Sequence, residues 1–515
     1  MAKRPSRRAF LKAGASTAMA AAASRGAADA ASQSATRTTR TRGDDLCFMS
    51  ARDLATLIRT KKASAREVMA AHLDQINRVN PTINAIVAKL DDDKCLALAA
   101  AADQRTARNE TLGPLHGLPI AFKDLQPAVG FPFTRGSTVY RNAMPAEDSV
   151  LVERLRQAGA IPIGKTNTPE LGLGSHTYNK VYGTTVNPYD PTKSAGGSSG
   201  GAAAALATGM LPIADGSDMG GSLRNPGNFN NVVGLRPTVG LVPTAPTALP
   251  FVGFSVNGPM ARTVSDTAWL LSVMAGPDPR DPACMPSDPA AFRGPLSRSF
   301  RGTRVAWCPD LGGLPLDARV RAVLSAQRKT FEALGCVVED IAPDLAGADS
   351  IFLTIRAFRT AATYGSLLAT SRDQLKIEAV GEIEAGLALK STDVAQAMVQ
   401  HGQLLERVRR FQEKYEFILC AVNQVPPFDA TLDWPKTIDG VTMEHYVAWM
   451  KSAYWITSTY RPAISVPAGF TQDGLPVGLQ IVGRYRQDFA VLQLGYAFEQ
   501  ATKFGSRRPA IVRAR

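Results

Sequence analysis

The sequence predicts a single large α/β domain, a sheet covered by helices on both faces. From Leu118 onward, short apolar runs alternate with stretches of helical spacing, the pattern of strands and helices taken in turn. The sequence shows no internal repeat. A chain of 515 residues, 45% of them hydrophobic, also buries enough core to need no covalent staples.

The elements follow in chain order. Ser64 and Glu67 have capping-box spacing before a helix with Val68, Leu73, Ile76 and Val79 inward, expected to end at Pro81. LPIAF (residues 118–122) reads as a buried strand, 150–158 as a helix and AIPIG (160–164) as a strand. The small-residue run AAAALATG (202–209) reads as a helix and MLPIAD (210–215) as a strand. A second set comprises RVAWC (304–308), a helix over 317–334 and CVVEDI (336–341). Residues 343–441 read as mostly helical and are the expected source of substrate-specific walls.

The N-terminus carries an address. Residues 6–12, SRRAFLK, form a twin-arginine export pattern leading into an alanine-rich apolar stretch. That stretch is too short for a stable membrane span. The expected organisation is an export signal over 1–30, a disordered lead-in over 31–42 and one catalytic domain over 43–515, in a periplasmic or secreted protein that meets the twin-arginine export machinery.

The address also explains the charge. The chain is +13, but residues 1–42 hold nine basic side chains and one acid, leaving +5 for the rest. No basic stripe interleaved with aromatics is present, so no nucleic-acid partner is expected. The six cysteines show no CxxC spacing and the five histidines no HExxH or paired metal spacing. The cysteines read as buried packing residues, although an oxidising compartment would permit one disulfide.

Three segments carry chemistry: GLPIAFKDL (117–125), KSAGGSSGG (193–201) and GSDMGGSLRNP (216–226). Ser222 ends a turn in which Gly220 and Gly221 let backbone N–H groups converge, as an oxyanion requires, so it is the candidate nucleophile. A serine needs a base, and a lysine serves once burial lowers its pKa toward working pH. Lys123, at the end of an apolar strand, meets that condition. Its neighbour Asp124 points to the opposite face and would not hold it charged. Ser198 or Ser199 could bridge base and nucleophile, because a hydroxyl both donates and accepts.

These residues resemble the amidase signature family of Ser-Ser-Lys hydrolases. GGSSGG and GSDMGGSLRNP place Ser198 and Ser222 24 residues apart. GLRPTVGLVP (234–243), KTNTPELG (165–172), GPMARTVSD (258–266), PAISVPAGF (462–470) and GLPVGLQIVG (474–483) are also similar to this family. The resemblance spans roughly residues 50 to 500. It implies a mixed central sheet of about eleven strands, with Lys123 as base, Ser198 as relay after a cis Gly197–Ser198 bond and Ser222 as acyl-enzyme nucleophile. The N–H groups of Met219, Gly220, Gly221 and Ser222 would form the oxyanion hole, with Asp218, Arg224 and Ser199 in support. Met219 stands where a smaller or β-branched residue is common and Gly227 where alanine is common, which bears on pocket shape more than chemistry.

The implied activity is cleavage of small-molecule or peptide carboxylic amides, with no cofactor or metal. Two other functions fit parts of the pattern: an ammonia-producing amidotransferase subunit, which the export signal disfavours, and a catalytically silent periplasmic binding protein, which the intact Lys123, Ser198 and Ser222 disfavour. His176, in GLGSHTYN just before the first serine segment, is a candidate wall of the substrate pocket. One motif misleads. Residues 159–166, GAIPIGKT, match GxxxxGK[ST] formally, but a helix precedes the first glycine and a strand follows it, the reverse of a phosphate-binding loop.

Overall fold

The computed structural model describes residues 45–513; the expected signal over 1–30 and lead-in over 31–42 lie outside the described residues. Eleven strands build the scaffold: β1 (Ile86–Val87), β2 (Pro119–Lys123), β3 (Ile161–Thr166), β4 (Ile213–Asp218), β5 (Val233–Arg236), β6 (Val256–Ala261), β7 (Arg304–Trp307), β8 (Val337–Asp340), β9 (Phe417–Ala421), β10 (Ala463–Phe470) and β11 (Pro476–Val482). Eight of them form one mixed sheet in the order β8-β7-β9-β11-β10-β5-β6-β4, and three form a second in the order β1-β3-β2. The expected single sheet of about eleven strands is thus divided between β2 and β4. There the Lys123 N–H donates to the Asp215 carboxylate at 3.1 Å, so a side chain bridges the two edges where a strand carbonyl would continue the ladder.

Helices cover both sheets, and their ends depart from the sequence pattern in three places. The capping box at Ser64 and Glu67 is formed, but the helix runs Ala65–Ile83, two residues past Pro81, and stops at Asn84 in the left-handed conformation. Proline in the last turn removes one N–H without breaking the helix. The helix expected over 317–334 is two, Ala318–Ser325 and Arg328–Ala333. The helical region after 343 extends only to Lys414, the end of Ser391–Lys414, and is followed by β9, inside the main sheet. A strand buried along its whole length, as FILCA is, has no alternation to separate it from a helix.

Residues 161–166 of the formal phosphate-loop match are β3, with helix Val150–Gln157 before them. All six cysteines are free, so the permitted disulfide is not formed. No helix among the described residues is long and apolar enough to cross a membrane.

The element that positions the serines is the helix Gly200–Ala207, every residue of which is buried. Its first turn lies against backbone. A Cβ added to Gly201 would stand 2.4 Å from Asn167 N and 2.5 Å from Ala85 O, neither of which can rotate away. We expect Gly201→Ala to cost about 3 kcal/mol, the upper end of ordinary overpacking, read as a lower urea midpoint; an unchanged midpoint would contradict this packing.

Candidate active site

Lys123 is the last residue of β2 and is fully buried. Its amine is ringed by hydroxyls: Ser198 Oγ at 2.7 Å, Ser199 Oγ at 2.8 Å and Ser217 Oγ at 3.0 Å, with the Ser217 carbonyl at 3.4 Å. Burial pulls its pKa down to about 7, against the weaker upward pull of Asp215 and Asp218. A neutral lysine there has two N–H groups to give to Ser199 and Ser217 and a lone pair left for the Ser198 hydroxyl.

The neighbouring carboxylates are each occupied elsewhere. Asp124 lies 3.8 Å from Lys165 and accepts from the Thr134 hydroxyl and N–H, as strand alternation at β2 predicts. Asp215 accepts the Lys123 N–H, and burial raises its pKa to about 6. Asp218 is fully buried, and burial alone would raise its pKa. Arg224, then Arg236, reverse this and hold it well below the usual carboxylate range.

Asp218 and Arg224 also shape the nucleophile turn. Arg224 grips the carboxylate in bidentate fashion, Nε to Oδ2 at 3.0 Å and Nη2 to Oδ1 at 2.9 Å. The same oxygens accept the N–H groups of Gly221 (2.9 Å) and Leu223 (3.1 Å) on either side of Ser222. Of the four expected oxyanion donors, Gly221 N–H is thus bonded to Asp218 in this structure. Gly221 itself has φ +107°, and a Cβ there would meet Asn225 and Ala453 within 2.6 Å.

The two serine segments meet directly. The Ser199 N–H donates to the Ser222 carbonyl at 3.2 Å, and Ser198 follows a cis peptide bond, as the resemblance implied. Ser199 is the N-cap of Gly200–Ala207, yet its hydroxyl makes no capping bond; it faces Lys123. Ser198, Ser217 and Ser222 open onto a cavity of about 630 Å³. No Ser198–Ser222 hydrogen bond is formed among the described residues.

His176 does not line that cavity but a small adjoining cleft, which shares Leu173 and Gly174 with it. It is buried, with Nδ1 2.7 Å from Ser194 Oγ and Nε2 3.0 Å from the Ala430 carbonyl. Burial lowers its pKa to about 4, so it is a neutral brace. Ser194 in turn accepts the Gly196 N–H at 3.0 Å, which fastens the loop leading to Ser198.

Several contributors escaped the sequence reading. Alternation along β4 puts Asp215 and Ser217 on the side that reaches Lys123, a signal available in IADGSD once that strand is placed beside β2. Arg236, in β5, donates to the Asp218 backbone carbonyl and lies 3.4 Å from its carboxylate; its partner is 18 residues away and nothing local announces it. The loop over 244–253 forms one cavity wall. The helix Ala348–Tyr364 supplies another through Arg356, Arg359 and Tyr364, inside the region expected to do so.

The site is thus a buried lysine amid serine hydroxyls, beside a cavity and a turn of backbone N–H groups, with no histidine in the cavity lining. The family model described as Amidase matches residues 67–492. The chain is similar to the acylamidase of Rhodococcus erythropolis, 36% identical over 472 residues, covering 90% of this chain and 98% of that protein. It is 32% identical to a glutamyl-tRNA(Gln) amidotransferase subunit of Thermosynechococcus vestitus, covering 88% and 97%. Among solved structures, a bacterial aryl acylamidase of the amidase signature family superposes with TM-score 0.84 at 28% identity, covering 91% of this chain and 99% of that one. The protein therefore belongs to the amidase signature family and is an amidase, a C–N hydrolase acting on amides.

The lysine pKa has a consequence for stability. The folded pKa, about 7, lies below the ordinary lysine value near 10.4. Between them the unfolded chain binds more protons, so stability rises with pH across that window. The unfolding free energy of the parent protein should rise by about 2 kcal/mol relative to that of Lys123→Met from about pH 7 to about pH 9. A difference independent of pH, measured by urea denaturation, would show that Lys123 is not buried neutral.

Proposed function

We propose that the protein hydrolyses carboxylic amides to acid plus ammonia or amine through an acyl-enzyme on Ser222, with Lys123 as base and Ser198 as relay. One observation carries the reading: the Lys123 amine, its pKa lowered to about 7, stands 2.7 Å from Ser198 Oγ at the floor of the cavity that also exposes Ser222. Lys123 takes the Ser198 proton as Ser198 takes that of Ser222, and the Ser222 oxygen attacks the carbonyl carbon. The N–H groups of Met219, Gly220 and Ser222 hold the oxyanion. The proton returns along the same path to the leaving nitrogen, the C–N bond breaks, and water repeats the sequence to free the acid. Residues 1–30 direct the folded enzyme out of the cytoplasm, to the periplasm or beyond.

A second reading, an ammonia-producing amidotransferase subunit, is favoured by the 32% identity to the Thermosynechococcus vestitus protein. Such a subunit works in the cytoplasm with charged transfer RNA. Fractionation decides between them: the expected outcome is export that stops when Arg7 and Arg8 are both changed to Lys, whereas a cytoplasmic protein co-purifying with partner subunits supports the second reading.

The mechanism is tested by ammonia or amine release from aliphatic, aromatic and peptide amides. Ser222→Ala should abolish release while leaving the unfolding transition in place, and Lys123→Ala should be nearly as severe. Normal turnover by Ser222→Ala would rule out the acyl-enzyme. Silence of the parent protein on every amide, with Ser222 also refusing a serine-reactive phosphonate, would favour a binding protein on the same scaffold.

A further inference from the structure

The cavity beyond the serines has a one-sided charge. Its charged lining comprises three arginines, Arg135, Arg356 and Arg359, and one acid, Asp281. Asp281 is occupied by the Thr244 N–H and hydroxyl, at 2.8 and 3.1 Å, and by the Ala283 N–H at 3.0 Å. Arg356 is occupied as well, 3.1 Å from Glu382 and bonded to the Tyr446 hydroxyl. Arg135 and Arg359 have no carboxylate partner among the described residues.

Their settings suit a ligand. Arg359 gives one N–H to the Val252 carbonyl at 2.6 Å, and the rest of its fork has no acid. The Arg135 guanidinium lies 4.5 Å from the centre of the Phe133 ring, 4.8 Å from Tyr140 and 5.9 Å from Tyr364. Aromatic faces hold a guanidinium by its plane and leave its N–H edge to bind. Tyr364 senses both cations: burial raises its pKa, while Arg135 and then Arg359 work to lower it. Tyr364 ends the helix Ala348–Tyr364 that also carries Arg359, and both line the cavity together with Arg135.

That helix also sets the distance. Phe352 lies against the oxyanion turn, its ring 3.3 Å from where a Cβ on Gly220 would stand. Arg359 is two turns further on the same face, about 10 Å along the axis. Burial lowers the pKa of Arg359, a desolvated guanidinium left without an anion is costly, and the planar fork of either arginine matches a carboxylate in bidentate fashion.

We propose that Arg135 and Arg359, flanking Tyr364, bind a carboxylate carried by the substrate on the order of 10 Å from the scissile carbonyl, so that the preferred substrates are acidic amides. The word substrate rests on the hydrolytic reading above; the binding does not. The carboxylate belongs either to the acyl part or to the leaving amine, and the probes separate the two.

The test is calorimetric binding to Ser222→Ala, which needs no turnover. Monoamides of straight-chain dicarboxylic acids, from succinic to sebacic, are each compared with the neutral amide of equal length, and N-acetyl ω-amino acids with the matching N-alkylacetamides. In at least one series the acid should bind tenfold or more tightly than its neutral partner, and added salt should weaken the acid alone. Adding Arg135→Gln or Arg359→Gln should bring that ratio toward one, with Lys at either position restoring part of it. Tyr364→Phe, weakening the acid alone, is the second variant if an arginine proves necessary for folding. Equal binding of acid and neutral amides in both series, no binding of any acid, or a ratio indifferent to all three positions would overturn the proposal. Failure of the hydrolytic reading would show separately, as no ammonia or amine release by the parent protein.

Discussion

Burying an amine without giving it a carboxylate is the constraint on which this site depends. Lys123 is out of water, and an isolated ammonium there would be unstable enough to shed its proton. A single facing acid would undo this by restoring the charged form. The fold instead occupies each nearby acid: Asp124 with Lys165 and Thr134, Asp215 with a backbone N–H, and Asp218 with two arginines. What remains around the amine is a shell of hydroxyls and one carbonyl, which accept from a neutral lysine and, at Ser198, can also donate.

The architecture follows from where that amine has to sit. It lies at the seam between two sheets, where β2 and β4 do not share a ladder, and the gap admits side chains from both edges. Asp218 then does two jobs. It pairs with both Arg224 and Arg236, and through the N–H groups of Gly221 and Leu223 it sets the turn that presents Ser222. Removing it would leave two buried guanidinium groups facing each other, a large penalty in a dry interior. The floor is rigid for these reasons, and the walls are built from other parts of the chain, the 244–253 loop and the helix Ala348–Tyr364.

Much of the floor was legible in the sequence because its signals are local. An apolar strand ending in lysine, two glycine-serine turns and a following arginine lie within short windows, and alternation alone assigns Asp124 to the face away from Lys123. The helix cap at Ser64 is likewise a four-residue pattern. What the sequence did not disclose depends on long-range packing. Arg236 reaches Asp218 across strands, His176 turns to Ser194 and Ala430 and away from the cavity, and Gly221 spends its N–H on a side chain three residues back. The division of eleven strands into eight and three has the same origin, since no local pattern reports that Asp215 replaces a rung between β2 and β4.

If a neutral Lys123 activates Ser222 through Ser198, as proposed, the rate at which an uncharged phosphonate labels Ser222 must depend on pH. Labelling is a single nucleophilic step, free of product release and of any assumption about substrate. The expected rate rises with pH through one ionisation near the Lys123 value of about 7 and is flat and slow in Lys123→Ala. A parent rate that is flat from about pH 5 to about pH 9, or one that rises only near the ordinary lysine value of about 10, would contradict the proposal.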